Sequence, residues 1–238
     1  MGKIFRLNER DLHLITLCGM SAVFSALFGT PVTATVFSME VISVGVMYYS
    51  ALVPCVLSAA VAYGVTVYFG ISPTAFALSH PAVLSLPLIL QVIVLSGLCA
   101  ALSVLFCAGI GRTKVFFRNK IPNAWLRILA GSLIIILLTF LVGSQDYNGT
   151  GMDTIQAAVH GKAVPPEAFL LKLLFTAVTL GCGFKGGEIV PAMFVGAAFG
   201  SFAGSLLGMD TGLAAAVGLV SLFCGSVNCP IASVLLSV

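Results

Sequence analysis

Long apolar stretches alternate with short polar breaks along almost the whole chain, and this pattern predicts helices that cross or enter a membrane. The apolar stretches are Leu12 to Phe28, Pro31 to Val46, Ala51 to Phe69, Ala82 to Ile110, Trp125 to Val142, Phe169 to Leu180, Ile189 to Leu207, Leu213 to Cys224 and Pro230 to Val238. A helix needs roughly 20 residues to span a bilayer, and several of these stretches are shorter or contain Gly and Pro. We therefore expect an all-α polytopic membrane protein with tilted, broken and re-entrant helices, which are tolerated where protein or a cavity surrounds them.

The composition supports a membrane location. Hydrophobic residues make up 59% of the chain and charged residues only 8%, whereas a soluble domain carries about 25% charged residues. The net charge is +3, and much of the positive charge falls in one connection, at Arg112, Lys114, Arg118, Lys120 and Arg127. Since cytoplasmic loops are enriched in Lys and Arg, we place this connection on the cytoplasmic side of the membrane and expect no nucleic-acid partner.

The cysteines and histidines do not point to a metal site. The seven cysteines show neither paired nor metal-type spacing, and the three histidines form no cluster with them. Apart from Cys182, the cysteines lie in apolar runs, so we interpret them as small buried thiols. His80 and His160 lie in loop-like segments. We therefore expect neither a metal nor another cofactor.

A glycine turn precedes the apolar stretch that begins at Ile189, with the sequence Gly186-Gly187-Glu188-Ile189-Val190-Pro191. Glycine permits a tight turn, and proline is well tolerated in the first turn of a helix. The unpaired amides of that first turn and the positive end of the helix dipole point at whatever lies in front of them. Within a membrane, this arrangement predicts an anion site made of backbone amides.

Two windows of the chain resemble one another. When Gly19 is placed over Gly218, Phe24 falls on Phe223, Pro31 on Pro230, Val32 on Ile231 and Ser38 on Ser237, without a gap. Each window contains an apolar stretch, a small-residue break before proline and a second apolar stretch. Internal repeats with interrupted helices are typical of transporters whose site lies between the repeats. The sequence does not determine whether the repeats are inverted.

These features resemble the CLC family of voltage-gated chloride channels and anion/proton exchangers. The segment GGEIVPAMFVGA, residues 186–197, looks like the family's third signature, usually written G-G-x-F-x-P-x-x-x-x-G. Residues 29–40 look like the family's earlier helix break and helix followed by a glutamate. The run Tyr147-Asn148-Gly149-Thr150-Gly151 resembles the glycine-rich stretch between the halves of the second repeat. The resemblance covers essentially the whole chain, in family order and spacing.

The resemblance implies transport of chloride or fluoride, with protons as a further substrate of exchangers, and no enzymatic activity. It implies a homodimer in a lipid bilayer, a plasma membrane of bacterial type, in which each subunit has its own anion path and two inverted repeats. Residues 1–70 would end the first repeat and residues 82–238 would form most of the second, without a cytosolic regulatory domain. The anion would be held by backbone amides at the helix start, and we assign this site to Gly186, Gly187, Glu188, Ile189 and Val190.

Other anion ligands of the family have no counterpart between Met1 and Val238. These are a serine-bearing G-S-G-I-P turn, a gating glutamate in G-K/R-E-G-P, and a tyrosine near the end of the membrane domain. The resemblance thus implies a transport domain truncated at both ends. We expect that residues 1–238 alone do not catalyse selective halide flux, so a non-conducting fragment is an alternative function.

Two positions bear on the transport subtype. In exchangers with an internal proton-transfer glutamate, that residue directly follows the position of Glu40, and here it is Val41. A glutamate at the position of Glu188 is typical of the fluoride-exporting branch, usually with threonine two residues later, where this chain has Val190. The sequence therefore does not choose between chloride and fluoride as the substrate, or between a channel and an exchanger.

Glu188 and Glu40 are candidates for a proton or ion pathway. An unpaired carboxylate at the bilayer centre costs at least about 2.5–3.5 kcal/mol, and Lys185 could partly neutralise Glu188. The alternative for Glu188 is a favourable partner for the helix dipole, and for Glu40 it is support of helix packing. A glycine recurs every fourth residue from Gly196 to Gly208, which predicts close helix packing.

Two other functional classes compete with halide transport. A transporter of another substrate on a repeat fold would need side-chain specificity groups, and we find none in the sequence. An intramembrane aspartyl protease needs two facing aspartates within apolar helices, whereas Asp146 lies in a polar loop and Asp210 follows a glycine at a helix end.

Overall fold

The computed structural model describes residues 8–42, 47–74, 76 and 85–237, and these ranges contain helices and no strand. In chain order the α-helices are α1 (Glu9–Phe28), α2 (Pro31–Glu40), α3 (Leu52–Tyr68), α4 (Leu86–Lys120), α5 (Ala124–Val142), α6 (Met152–Val159), α7 (Ala168–Gly181), α8 (Ile189–Leu206), α9 (Thr211–Val227) and α10 (Pro230–Leu236). A 3₁₀ turn, Tyr49–Ala51, precedes α3. Five of the described helical segments are long and apolar enough to cross a membrane. The predicted all-α polytopic membrane fold is confirmed.

The helices form two compact units, one of residues 1–75 and 228–238 and the other of residues 76–227. This division places α10 with the first unit. It is based on packing and does not test the division into sequence repeats, which stays a prediction.

In the first unit, α1 and α3 pack closely through small residues. The hydroxyl of Ser21 donates to the carbonyl of Cys55 at 3.1 Å, and that of Ser25 donates to the carbonyl of Ala59 at 2.8 Å. All four residues are buried. Small side chains let two helix backbones approach, and hydroxyl groups then bond across the contact.

The two windows of the repeat share one backbone conformation at their helix break. The first helix of each window ends at a residue with positive φ, 69° at Gly29 and 60° at Asn228. The next residue has φ −119° and ψ 79° at Thr30, and φ −120° and ψ 75° at Cys229. A proline then starts the second helix in both cases, at the position where proline is favoured. The local repeat read from the sequence is therefore also a repeat of structure.

In the second unit, α8 lies at the centre and α5 at the outside. In the apolar 18-residue segment of each helix, 61% of the residues are buried in α8 but only 6% in α5. The core around α8 is built from apolar side chains of α4, α7, α8 and α9: Leu102, Phe106, Ile110, Ala177, Leu180, Ala192, Val195 and Leu222. This packing holds the start of α8 against the neighbouring helices.

Three of the four regularly spaced glycines pack α8 against α9. A Cβ atom at Gly196 would collide with the backbone of Gly218, and one at Gly200 with the backbone of Ala214. Gly204 lies against the side chain of Ala214. The fourth, Gly208, has φ 70° and open space around it, so it serves the turn after α8 rather than the contact. Close helix packing is confirmed for the first three.

Helix α4 is longer than its apolar pattern predicts. The apolar stretch ends at Ile110, but the helix continues to Lys120 and carries Arg112, Lys114 and Arg118 on its last turns. The prediction that these residues lie in a connection is therefore wrong. Lys and Arg are good helix formers, and a helix of 35 residues is about 52 Å long, which exceeds a hydrocarbon core of about 30 Å. The charged end of α4 can therefore lie beyond that core.

Two smaller differences separate the structure from the sequence pattern. The pattern does not predict the short helix α6, because its 8 residues mix apolar and polar positions and form no long apolar run. The cysteines are not uniformly buried: Cys55, Cys99, Cys182 and Cys229 are buried, but Cys107 is exposed. His160 directly follows the last residue of α6, in agreement with its predicted position in a loop. His80, for which a loop was also predicted, lies outside the described residues.

Candidate functional site

A cavity of about 320 Å³ lies beside the start of α8 in the second unit. Three segments form its wall: the loop before α6, one face of α7, and the glycine turn with the first turn of α8. The lining residues are Tyr147, Asn148, Gly149, Thr150, Lys172, Phe175, Thr176, Thr179, Leu180, Gly186, Gly187, Val190 and Pro191. Along α7 the wall mixes the apolar side chains of Phe175 and Leu180 with the polar side chains of Lys172, Thr176 and Thr179, and the two loops add further polar groups.

Helix α8 begins at Ile189, as the glycine turn predicts. Its first helical hydrogen bond runs from the amide of Ala192 to the carbonyl of Glu188 at 3.0 Å. The amides of Ile189 and Val190 precede that bond and have no acceptor among the described residues, and Pro191 has no N–H. Residues 185–188 are exposed and residues 189–191 half-buried. A position of this helix start at membrane depth stays a prediction.

The structure brings some of the predicted anion-site residues to the cavity. Gly186, Gly187 and Val190 line it, whereas Glu188 and Ile189 do not. Of the two residues with unpaired amides, Val190 therefore belongs to the wall and Ile189 does not, and Glu188 takes no part in it.

Lys172 is a residue of this site that the sequence reading missed. It lies in α7, is 1% exposed, and lines the cavity. Its ammonium group donates to the carbonyls of Tyr147 at 3.1 Å and Gly149 at 2.8 Å, and lies 4.9 Å from the ring centroid of Phe194. Within the described part of the chain it forms no ion pair with a carboxylate. The sequence feature that could have identified Lys172 is its position as the single lysine inside the apolar stretch Phe169 to Leu180, since ionisable residues in membrane segments are functional candidates.

The glycine-rich loop is held in place by Lys172 and by close packing. Gly151 has φ 70°, and a Cβ atom there would collide with the ring of Phe194. Tyr147 is 8% exposed, and its ring lies 6.3 Å from that of Phe194. Burial raises the pKa of the Tyr147 hydroxyl, and the negative charges of Glu167 and Asp146 raise it further. The hydroxyl is therefore neutral and can act as a hydrogen-bond donor at physiological pH.

Glu188 pairs with a residue of α4 and not with its sequence neighbour. Nζ of Lys114 lies 3.0 Å from Oε1 of Glu188, and the two side chains are 51% and 49% exposed. Lys185, which we expected to neutralise Glu188, is exposed and forms no ion pair with any described residue. The carboxylate of Glu188 makes no capping hydrogen bond to α8. The partner was missed because Lys114 is 74 residues away in sequence.

Glu40 anchors α10 in the first unit. It is 5% exposed, and its two carboxylate oxygens accept the amides of Ile231 at 3.1 Å and Ala232 at 2.9 Å. A carboxylate is favourable at a helix start, where amides lack partners. This geometry supports the packing role that the sequence left open, while a part in proton or ion movement stays untested.

The two aspartates considered for a protease serve local structure. Asp146 accepts the hydroxyl of Ser144 at 2.6 Å in the loop before α6. Asp210 accepts the amide of Leu213 at 2.9 Å and so caps α9. Neither lies within an apolar helix, as an intramembrane aspartyl protease would require.

Comparison with known proteins identifies related sequences over the whole chain. The sequence model of the family described as "Voltage gated chloride channel" matches residues 1–238. A chloride/fluoride channel protein of Pseudomonas syringae pv. tomato is 32% identical over 240 residues, which cover 98% of this chain and 53% of that protein. The voltage-gated ClC-type chloride channel ClcB of Escherichia coli O17:K52:H18 is 28% identical over 248 residues, which cover 96% of this chain and 56% of that protein. The chain therefore spans about half the length of these curated relatives.

A solved structure shares the fold. The crystal structure of a CLC-type fluoride/proton antiporter matches with a TM-score of 0.88 and 29% sequence identity, over 94% of this chain and 57% of that chain.

Proposed function

The chain belongs to the voltage-gated chloride channel family, and on that premise we propose that it forms a halide-binding part of a CLC-type transporter. The proposed ions are chloride or fluoride, and the proposed binding groups are the amides at the start of α8 together with the cation of Lys172. The proposed setting is a homodimer in a bacterial-type plasma membrane.

The observation that carries this proposal is the positive character of the cavity beside α8. A helix start is equivalent to roughly +0.5 elementary charge, and Lys172 adds an ammonium group that no carboxylate neutralises among the described residues. The lining residues include no Asp or Glu. An anion is therefore the ion that this wall favours electrostatically.

The named activities of the relatives support a halide as that anion. The Pseudomonas relative is named for chloride and fluoride, and the structural match is a fluoride/proton antiporter. Glu188 at the helix start supports a fluoride substrate, through the resemblance to the fluoride-exporting branch. Val190 and Val41 depart from the patterns of the proton-coupled exchangers, so the proposal concerns halide binding and does not include coupling to protons.

A chimera tests the function. Residues 1–238 replace the matching segment of the Pseudomonas relative, and the purified chimera is reconstituted in liposomes loaded with fluoride or chloride. Ion-selective electrodes then follow the efflux, with protein-free liposomes and liposomes containing the Pseudomonas protein as references. Selective halide efflux through the chimera is expected, and the same chain without the added segments is assayed in parallel. A folded chimera that passes neither ion would contradict the proposal.

A further inference from the structure

The carboxylate of Glu188 stands next to the amides at the start of α8 but does not use them. Glu188 is the residue directly before the helix, where side-chain oxygens commonly accept first-turn amides and where the dipole attracts negative charge. Yet its side chain makes no capping hydrogen bond, and its carboxylate lies 3.0 Å from Nζ of Lys114 on α4. The amides of Ile189 and Val190 are thus left without an acceptor among the described residues.

We propose that Lys114 is a positioning residue that holds the Glu188 carboxylate away from the α8 amides and neutralises it, so that these amides stay available to a halide. The inference rests on the proposed function, because it concerns the same amides. It adds a residue on another helix that determines how well they bind an anion.

Two effects of losing Lys114 act in the same direction. The freed carboxylate can turn to the adjacent amides and compete with the halide for the same donors. Its unneutralised negative charge also repels an anion that enters the neighbouring cavity. Glutamine at position 188 removes the repulsion, and its neutral carbonyl oxygen competes for the amides more weakly than a carboxylate does. Ion pairs between half-exposed side chains are weak, and the expected loss of halide affinity is therefore about two- to fivefold.

A set of variants of the 238-residue chain separates this role from a structural one. Lys114→Gln removes the partner, Lys114→Arg keeps the charge, and Lys114→Gln/Glu188→Gln removes both members of the pair. Lys120→Gln is the matched control, since it removes the same charge from the exposed end of the same helix, where no ion pair exists among the described residues. Fluoride and chloride binding to the purified proteins in detergent is measured by equilibrium dialysis, and thermal unfolding confirms that each variant is folded.

The expected result is weaker halide binding in Lys114→Gln only, with affinity restored in the double variant and kept in Lys114→Arg and Lys120→Gln. Unchanged affinity in Lys114→Gln would overturn the inference while leaving the proposed function intact. A loss that the double variant does not restore would show that Lys114 acts through the fold, and it would overturn the inference too. If the unmodified chain binds neither halide, the proposed function fails and this inference fails with it.

Discussion

Replacing Lys172 with methionine tests the electrostatics of the cavity most directly. Methionine has a similar length and fits an apolar helix, but it removes the buried ammonium group that lines the wall. We expect chloride and fluoride to bind more weakly, because the helix start alone then supplies the positive potential.

The size of this effect follows from the dimensions of the cavity. A sphere of about 320 Å³ has a radius of about 4 Å, so an ion near its centre would lie roughly 6 Å from a charge in the wall. At an effective dielectric constant of about 20, two unit charges at roughly 6 Å attract by about 3 kcal/mol. The cavity is partly open to solvent, which reduces the attraction to about 1–2 kcal/mol, or about a 5- to 30-fold loss of affinity.

Protein stability has to be measured separately from binding in this variant. The carbonyls of Tyr147 and Gly149 lose their donor, which costs about 1–3 kcal/mol for each group left unsatisfied. Relief of the desolvation of a buried cation, several kcal/mol, acts in the opposite direction. The two contributions nearly cancel, so we expect only a small change in the unfolding free energy.

The assay compares halide binding and thermal unfolding of the unmodified chain, Lys172→Met and Lys162→Met. Lys162 is an exposed lysine of the same unit, and it does not line the cavity. A folded Lys172→Met protein that binds halide as tightly as the unmodified chain would refute the assignment of Lys172 to the anion site. An equal loss in Lys162→Met would show that overall charge, and not the position of Lys172, controls binding.

Three further predictions concern other parts of the chain. Glu40→Gln should lower the unfolding free energy by about 1–2 kcal/mol, because its carboxylate accepts two amides of α10; unchanged stability in chemical unfolding, together with lost halide flux, would favour a pathway role instead. Gly200→Ala should destabilise the protein by about 1–3 kcal/mol, because the added Cβ atom meets the backbone of α9. Its control, Gly97→Ala, lies in open space on α4 and should stabilise the protein by about 0.5–1 kcal/mol. Equal unfolding midpoints of the two variants would argue against close α8–α9 packing. In the liposome assay with the chimera, a proton-transferring role of Glu188 predicts that Glu188→Gln lowers fluoride efflux by about 100-fold or more. Equal fluoride flux would leave Glu188 as a helix-start carboxylate.

The sequence alone was sufficient for the features that depend on local order. Runs of apolar residues predicted the long helices, and the Gly-Gly-Glu turn followed by Pro191 predicted the start of α8 at Ile189. The match of Pro31 with Pro230 predicted a repeated helix break, and the two breaks have nearly identical dihedral angles. Each of these signals acts within a few residues, through backbone conformation or helix periodicity, and so it can be read without knowing the fold.

Only the tertiary structure decided which charged groups meet. The sequence suggested Lys185 as the partner of Glu188 because it is close along the chain, but the packing of α4 against the start of α8 supplies Lys114. The sequence likewise could not show that the Lys172 ammonium group donates to two carbonyls of a loop that lies more than twenty residues earlier. The sequence specifies the charge of these side chains, but their partners depend on which helix faces come together. Those faces are set by close packing between distant segments, because apolar periodicity identifies a buried face without identifying the helix that covers it.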